Sequence, residues 1–429
     1  MYKYYRAFFI FVLFLSASVS KVIAEEVLTW QDCIKEAAKN HPDLISAKEG
    51  VKQSEATKAI TASTLFPQVS TKAATSTTET TTIASGKATR KKTDTHTYGV
   101  TGTQLLFDGF KTINKVKAAS ENIKATQYNY RFTSSEVRLR LRTAFINTLK
   151  AQELLKITEE IYKIRKGNFE LINLRYESGI EHKGALLTAE ANLAQAKFEI
   201  SQAKRALEVA QRELVKEMGR PRFSPLRVGG VFKVSDSALE KPDFEVLAEN
   251  NPSVEKLIAQ KKAASFGLKA AGADFFPEIS AQAGTSRSDS RWPPENYQWD
   301  VGLSVSFPIF EGGLRLAEVS QAKALFNQAE ANERSGKDGV ILALEQTWVK
   351  LQDTVETVEV QKKFLEAAEE RAKIAESQYG LGLVQFDNWT IIEDDLVRVK
   401  KAFLDVQASA LIAEANWIQA KGEILEYAD

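Results

Sequence analysis

The stretch Leu65-Phe66-Pro67-Gln68-Val69-Ser70 returns as Phe275-Phe276-Pro277-Glu278-Ile279-Ser280, 210 residues further along the chain. At the same shift Asn40-His41-Pro42 returns as Asn250-Asn251-Pro252. Phe107-Asp108-Gly109 returns as Phe310-Glu311-Gly312 at a shift of 203, which also carries Tyr176 and Gly179 onto Tyr379 and Gly382, and Gly219 onto Gly422. The shift changes once, between residues 76 and 98, so one loop is seven residues longer in the first half. Matches that hold register this far mark a tandem repeat, and any fold must be built twice.

Each half reads helix, strand, loop, strand, very long helix, tight turn, helix. Thr29 and Asp32 resemble a capping box that opens a helix running to about Ser63, where Phe66-Pro67 stops it. Strands follow near 66–77 and 96–107. Asp108-Gly109 then turns the chain into a helix with no breaker but the tolerable Gly167 until it ends near Tyr176–Gly179. The next helix, roughly 184–218, stops at Gly219-Arg220-Pro221.

That helix carries Leu186, Ala189, Leu193, Ala196, Ile200, Ala203, Leu207, Ala210 and Leu214 at alternating steps of three and four. Adding 203 gives Trp389, Ile392, Leu396, Val399, Phe403, Val406, Ala410, Ala413 and Trp417, again all apolar. A three-four stripe is a coiled-coil seam, and alanine at alternate positions lets helix axes approach closely. The tight turn makes the preceding long helix its antiparallel partner. That long helix shows the same spacing in the second half, at Ile341, Leu344, Trp348, Leu351, Val355 and Val358. Helices 29–63 and 184–218, placed end to end, would match one long helix of about 100 Å at 1.5 Å per residue. Such rods suit a cylinder. Glu393, Asp394 and Asp395 fall off the seam and read as a solvated face or tunnel lining.

Tyr297, Trp299, Val301, Leu303, Val305 and Phe307 alternate with Gln298, Asp300, Gly302, Ser304, Ser306 and Pro308. Period two puts the two sets on opposite faces, the pattern of a membrane strand with its apolar set toward lipid. Tyr297 and Trp299 then mark one interface and Phe307 the other. Four strands cannot close a bilayer barrel, and open edges are not tolerated in lipid. The chain must therefore assemble, and two, three or four copies would give 8, 12 or 16 strands. The polar loops 78–95 and 287–296, with Lys87, Arg90, Lys91 and Lys92 in the first, read as extracellular hairpins.

Composition narrows the function. The chain has 429 residues, with 57 basic and 56 acidic side chains that nearly cancel, so there is no nucleic-acid footprint. One cysteine, Cys33, at helical spacing with Trp30 and Ala37, reads as a buried apolar contact and permits no internal disulfide. Three scattered histidines, His41, His96 and His182, argue against a metal site or a triad, and no phosphate loop or HExxH motif occurs. No enzyme and no cofactor is expected. Residues 1–24 read as a signal peptide, with Lys3 and Arg6 before an apolar Ala7–Leu15 and a cut after Val22-Ile23-Ala24. The repeats then occupy 25–219 and 241–429, joined by a crossover linker at 220–240. A periplasmic coiled-coil adaptor or scaffold is the competing reading. It leaves the strands unexplained, and the lipoyl-like modules an adaptor needs are missing.

The order and doubling of these motifs resemble the TolC-type outer-membrane factors over nearly the whole chain. The carriers are Phe66-Pro67 and Phe276-Pro277, Leu106-Phe107-Asp108-Gly109, Pro308-Ile309-Phe310-Glu311-Gly312-Gly313, and the two Tyr-x-x-Gly turns. The resemblance implies a mainly α fold with a four-stranded membrane β segment. It also implies a homotrimer with a 12-stranded barrel, continued by a helical tunnel from the outer membrane into the periplasm. Function would be passive exit for efflux or type I secretion, with a periplasmic adaptor and an inner-membrane ABC or RND-type transporter as partners. The resemblance further makes Tyr176, Gly179, Ile180, Tyr379, Gly382 and Leu383 adaptor-docking tip turns. The family's acidic entrance ring falls by spacing on Asn388 and Ile391, with Asp387 beside the first, so Asp387 and Asn388 are the candidate gate.

Overall fold

The computed structural model describes residues 26–230, 232 and 241–425. The signal peptide, and residues 231 and 233–240 of the crossover linker, lie outside the described residues.

The elements run β1 (Glu26–Leu28), α1 (Trp30–Asn40), α2 (Pro42–Ser63), β2 (Gln68–Ala84), β3 (Lys87–Phe107), α3 (Lys111–Glu177) and α4 (Lys183–Glu217). The second half is β4 (Leu226–Val228), α5 (Phe244–Glu249), α6 (Pro252–Ala273), β5 (Glu278–Asp289), β6 (Tyr297–Ser306), α7 (Leu314–Gly380) and α8 (Phe386–Ala420). Both long helices have 67 residues, about 100 Å at 1.5 Å per residue.

Residues 29–63 are not one helix. The capping box at Thr29–Asp32 opens α1, but the chain leaves helical geometry at His41, whose φ/ψ is −67/123. Pro42 is the cause: it disfavours the α region for the residue before it and is preorganised as the first residue of a new helix. The His41 ring Nδ1 accepts from Asp43 N at 3.2 Å, and Asn251 repeats the device by accepting from Ser253 N at 2.9 Å. α1 turns aside to a small equatorial core. There Cys33, Ile34 and Ala37 pack with Leu141, Phe145, Leu214 and Leu226, and Cys33 is fully buried. β1 pairs in parallel with β4, and the Gln152 amide clamps Val228 with two bonds of 2.9 Å.

The shorter helices stack end to end, α2 on α4 and α6 on α8. Glycine is essential at both joints. Gly219 has φ +75° and a Cβ there would lie 2.5 Å from Asn40 O; Gly422 has φ +81° and a Cβ 2.4 Å from Pro252 Cδ. Polar contacts close the joints: His41 Nε2 to Glu217 Oε2 at 3.4 Å, and Asn251 Nδ2 donating to Ala420 O at 2.9 Å. Above the joint the rods pack in the order α2, α3, α6, α7, and below it α4, α3, α8, α7. The seam alanines Ala189, Ala196, Ala203 and Ala210 are buried, as are Leu344, Trp348, Leu351 and Val358.

The four long strands form one antiparallel sheet in the order β2-β3-β5-β6. Residues 78–95 are not a loop: β2 and β3 stay paired to Ala84↔Lys87 around a turn at Ser85-Gly86. The threonine-rich ribbon is exposed on both faces, so it has no apolar alternation by which to be read. In the second hairpin β5 runs to Asp289, inside the stretch read as loop.

Candidate functional site

Two regions of the molecule carry side chains that packing within one copy leaves unexplained: the faces and edges of the sheet, and the tip where the rods turn.

Residues directly opposite in an antiparallel ladder share a face, so the register sorts the sheet. Trp299, Thr285, Val100 and Thr71 lie in one row; Val301, Ala283, Gly102 and Val69 form the next. Leu303 and Ala281, then Tyr297, Arg287, Tyr98 and Ala73, belong to the same face. The opposite face holds Gln298, Ser286, Gly99 and Lys72, then Asp300, Gly284, Thr101 and Ser70. One face is thus mainly apolar, with Arg287 and threonines among its members, and the other mainly polar, although among the described residues no helix makes an extensive contact with either. Trp299, Val301, Leu303 and Val305 are exposed, and so is Phe307 just past the end of β6. Trp292 meets Tyr98 edge-on at 6.3 Å, adding to the aromatic row of Tyr297 and Trp299 at the hairpin end. Phe66, Phe276, Phe307 and Phe310, where the strands meet the helices, are all exposed. β2 and β6 are both edge strands, with one row of backbone groups each left for a partner.

At the tip, both turns are Schellman motifs. Gly179 N donates to Tyr176 O at 2.9 Å and Ile180 N to Arg175 O at 2.9 Å; Gly382 N donates to Tyr379 O at 3.0 Å and Leu383 N to Gln378 O at 2.9 Å. Gly179 and Gly382 take φ of +71° and +74°, which favours glycine. Ile180 and Leu383 are exposed, joined by Leu381. Tyr379 does not lie on the surface with them, because it is only 2 % exposed. Its ring stacks on Trp389 at 4.4 Å, its hydroxyl donates to Glu181 at 2.7 Å, and the Arg175 guanidinium covers it at 4.9 Å. Burial, then the bond to Glu181, push the Tyr379 phenol far above its ordinary range. This knot ties the α3–α4 turn to the α7–α8 turn. Sequence reading missed it because Glu181 and Tyr379 are 198 residues apart.

Above the knot, Arg165 of α3 is nearly buried and bonds Asp394 of α8 at 2.5 Å. Glu393 is neither solvated nor a lining residue; it is 7 % exposed, and burial raises its carboxyl above the usual range, against the pull of Arg165. Asp395 is held by Arg371 at 3.4 Å and by Arg398. Asp387 and Asn388 sit exposed in the first turn of α8, and Asp387 has no side-chain partner among the described residues. His182 caps α4, its Nδ1 accepting from Ala185 N at 3.1 Å. Among the described residues no cluster fits a metal ion, and no helix is long and apolar enough to cross a membrane.

Known proteins share this architecture. A crystal structure of CusC superposes with a TM-score of 0.82 at 20% identity, over 91% of each chain. The Campylobacter jejuni CmeC outer membrane channel gives 0.81 at 18% identity, over 93% of this chain and 87% of that one. In sequence, the outer membrane efflux protein BepC of Brucella suis is 22% identical over 422 residues, 94% of this chain and 89% of its own. The alkaline protease secretion protein AprF of Pseudomonas aeruginosa is 26% identical over 230 residues, 51% of this chain and 47% of its own. The family described as outer membrane efflux protein matches twice, at residues 33–220 and 245–423, once in each half. With more than four fifths of the chain matched in register with its own repeat, the protein belongs to the outer membrane efflux protein family.

Proposed function

We propose that three copies join edge to edge, β6 of one against β2 of the next, to close a 12-stranded barrel continued by a helical tunnel. Membership of the family makes the chain an outer-membrane channel for efflux or type I secretion, reaching into the periplasm, and it removes the adaptor or scaffold reading. The sheet itself carries the assembly argument: an apolar face and two unpaired edges, fused to rods of 67 residues. A sheet edge in lipid leaves backbone groups unsatisfied, so closure is obligatory. Eight strands would be filled by side chains, whereas twelve leave a bore. α7 also leaves Leu316, Leu325, Leu342, Val349, Val360 and Phe364 exposed, apolar surface that neighbouring copies would cover.

In this reading Tyr297, Trp299, Val301, Leu303, Val305 and Phe307 face lipid. The exposed turn residues Tyr176, Gly179, Ile180, Gly382 and Leu383 meet a periplasmic adaptor, through which an inner-membrane transporter delivers substrate. Tyr379 works instead as an internal latch. Loosening the Tyr379–Glu181 and Arg165–Asp394 links lets α7 and α8 swing from α3 and α4, and opens the tip. Asp387, free at the start of α8, is placed to meet its symmetry copies around the axis with Asn388. The test is mass and conductance. Detergent-purified protein has the mass of three chains and inserts into planar bilayers with a small conductance that Asp387→Asn enlarges. A monomer soluble without detergent would sink the assembly, and unchanged conductance in Asp387→Asn would remove that residue from the gate.

A further inference from the structure

The β2–β3 hairpin outruns its neighbours. β5 accompanies β3 only to His96↔Asp289, and beyond that row β2 and β3 continue alone for nine further pairs, Ser76↔Thr95 through Ala84↔Lys87. At about 3.4 Å per residue this ribbon projects some 30 Å past the rest of the sheet.

The register sorts its charges. The apolar face of the sheet continues as Thr77/Asp94, Glu79/Lys92, Thr81/Arg90 and Ile83/Ala88. There two acids and two cations sum to zero: Arg90 Nε lies 3.8 Å from Glu79, and Asp94 and Lys92 balance in charge, with Asp94 accepting from the Thr77 hydroxyl at 2.6 Å. The polar face continues as Thr78/Thr93, Thr80/Lys91, Thr82/Thr89 and Ala84/Lys87. It carries two ammonium groups and no carboxylate, and every residue in it is exposed. Lys72 lies on the same face lower down.

We infer that Lys87 and Lys91 form a cationic collar at the outer mouth of the duct, binding anionic groups of solutes in transit and anions entering from outside. The inference rests on the three-copy barrel, which turns the polar face inward and brings six ammonium groups round one opening. Rings of like charge lining a pore select ions, and a concave opening focuses their field beyond what a flat surface achieves. At 0.15 M salt the field of each group reaches about 8 Å, so the collar acts on what passes through the mouth and not on the distant tip.

Tripolyphosphate added to each side of a planar bilayer in turn tests the collar at low salt, with the full chain as the channel. Wild type is blocked from one side. Lys87→Gln with Lys91→Gln weakens that block roughly tenfold, while Arg90→Gln with Lys92→Gln, on the other face, leaves it within about twofold. Equal weakening by both pairs, or no sided block in wild type, overturns the collar while leaving the barrel standing. Failure of every variant and wild type to form channels would instead overturn the barrel.

Discussion

At the residue scale, the tip is held by a few polar contacts on an aromatic stack, a combination suited to the opening proposed for it. The bond from the Tyr379 hydroxyl to the Glu181 carboxylate has a charged acceptor and is worth about 1.5–3 kcal/mol. Tyr379→Phe keeps the ring on Trp389 and removes only that bond, so its expected effect is a severalfold rise in bilayer conductance and a less stable tip, with the proposed barrel still assembled. Conductance equal to wild type would mean that the bond does not latch the tip. Glu393 gives a pH dependence with a definite sign. Its carboxyl is raised in the packed state by burial, with Glu376 and Asp394 adding to the effect and Arg165 and Lys400 opposing it. A carboxyl that binds its proton more tightly when packed makes packing most stable at low pH. That stability is lost as pH rises from the ordinary carboxylate range through the raised value. Glu393→Gln should hold the tip protected at all pH, whereas wild type exchanges amide hydrogens faster in residues 386–400 as pH increases, after correction for intrinsic rates. These residues were invisible to periodicity. Glu393 lies off the Trp389–Ile392–Leu396 stripe, and it is buried only because α8 packs on α3 as well as on α7.

At the scale of elements, the repeat made most of the fold legible. Breakers, turn glycines and the three-four stripes located both long helices, both tip turns and both seams, because each is a local property of the chain. The end-to-end stack of shorter helices is expected from lengths that count α1 as part of the rod, whereas α2 and α4 hold 22 and 35 residues against 67 in α3. Its true partner in the first half is α2, with α1 diverted, since Asn40-His41-Pro42 ends one helix and starts another at the joint. The extended hairpin escaped because strand reading relies on one face being buried, and this ribbon buries neither. Glycine usage in α2 and its joint gives a paired prediction. Gly50 is mid-helix, and a methyl added there would meet nothing within 4 Å, so Gly50→Ala should stabilise by about 0.5–1 kcal/mol through helix propensity. Gly219→Ala meets the Asn40 carbonyl in a left-handed backbone and should lower the melting temperature by several degrees. Equal, small shifts in both variants would show that the joint does not bear on stability.

At the scale of the whole molecule, the proposed assembly lets a charge-balanced chain without any membrane helix among its described residues reach the outer membrane by sharing one surface among copies. The sheet's two faces make opposite demands, which gives a test that separates a barrel wall from a soluble sheet. Val301 and Ser304 lie three residues apart on β6, on opposite faces and both exposed in the single copy. In a soluble sheet, arginine at either position would be a surface substitution with little effect. In a barrel wall, Val301→Arg puts a guanidinium in lipid at a cost of about 2–4 kcal/mol near the midplane, repeated in every copy. Ser304→Arg faces the bore and should assemble. The measurement is outer-membrane fractionation of the two variants together with the size of the detergent-extracted particle. Val301→Arg is expected to leave the membrane fraction or lose trimers, and Ser304→Arg to retain both with altered ion selectivity. The reverse pattern would turn the barrel inside out. Equal tolerance would leave the apolar face without a lipid to explain it.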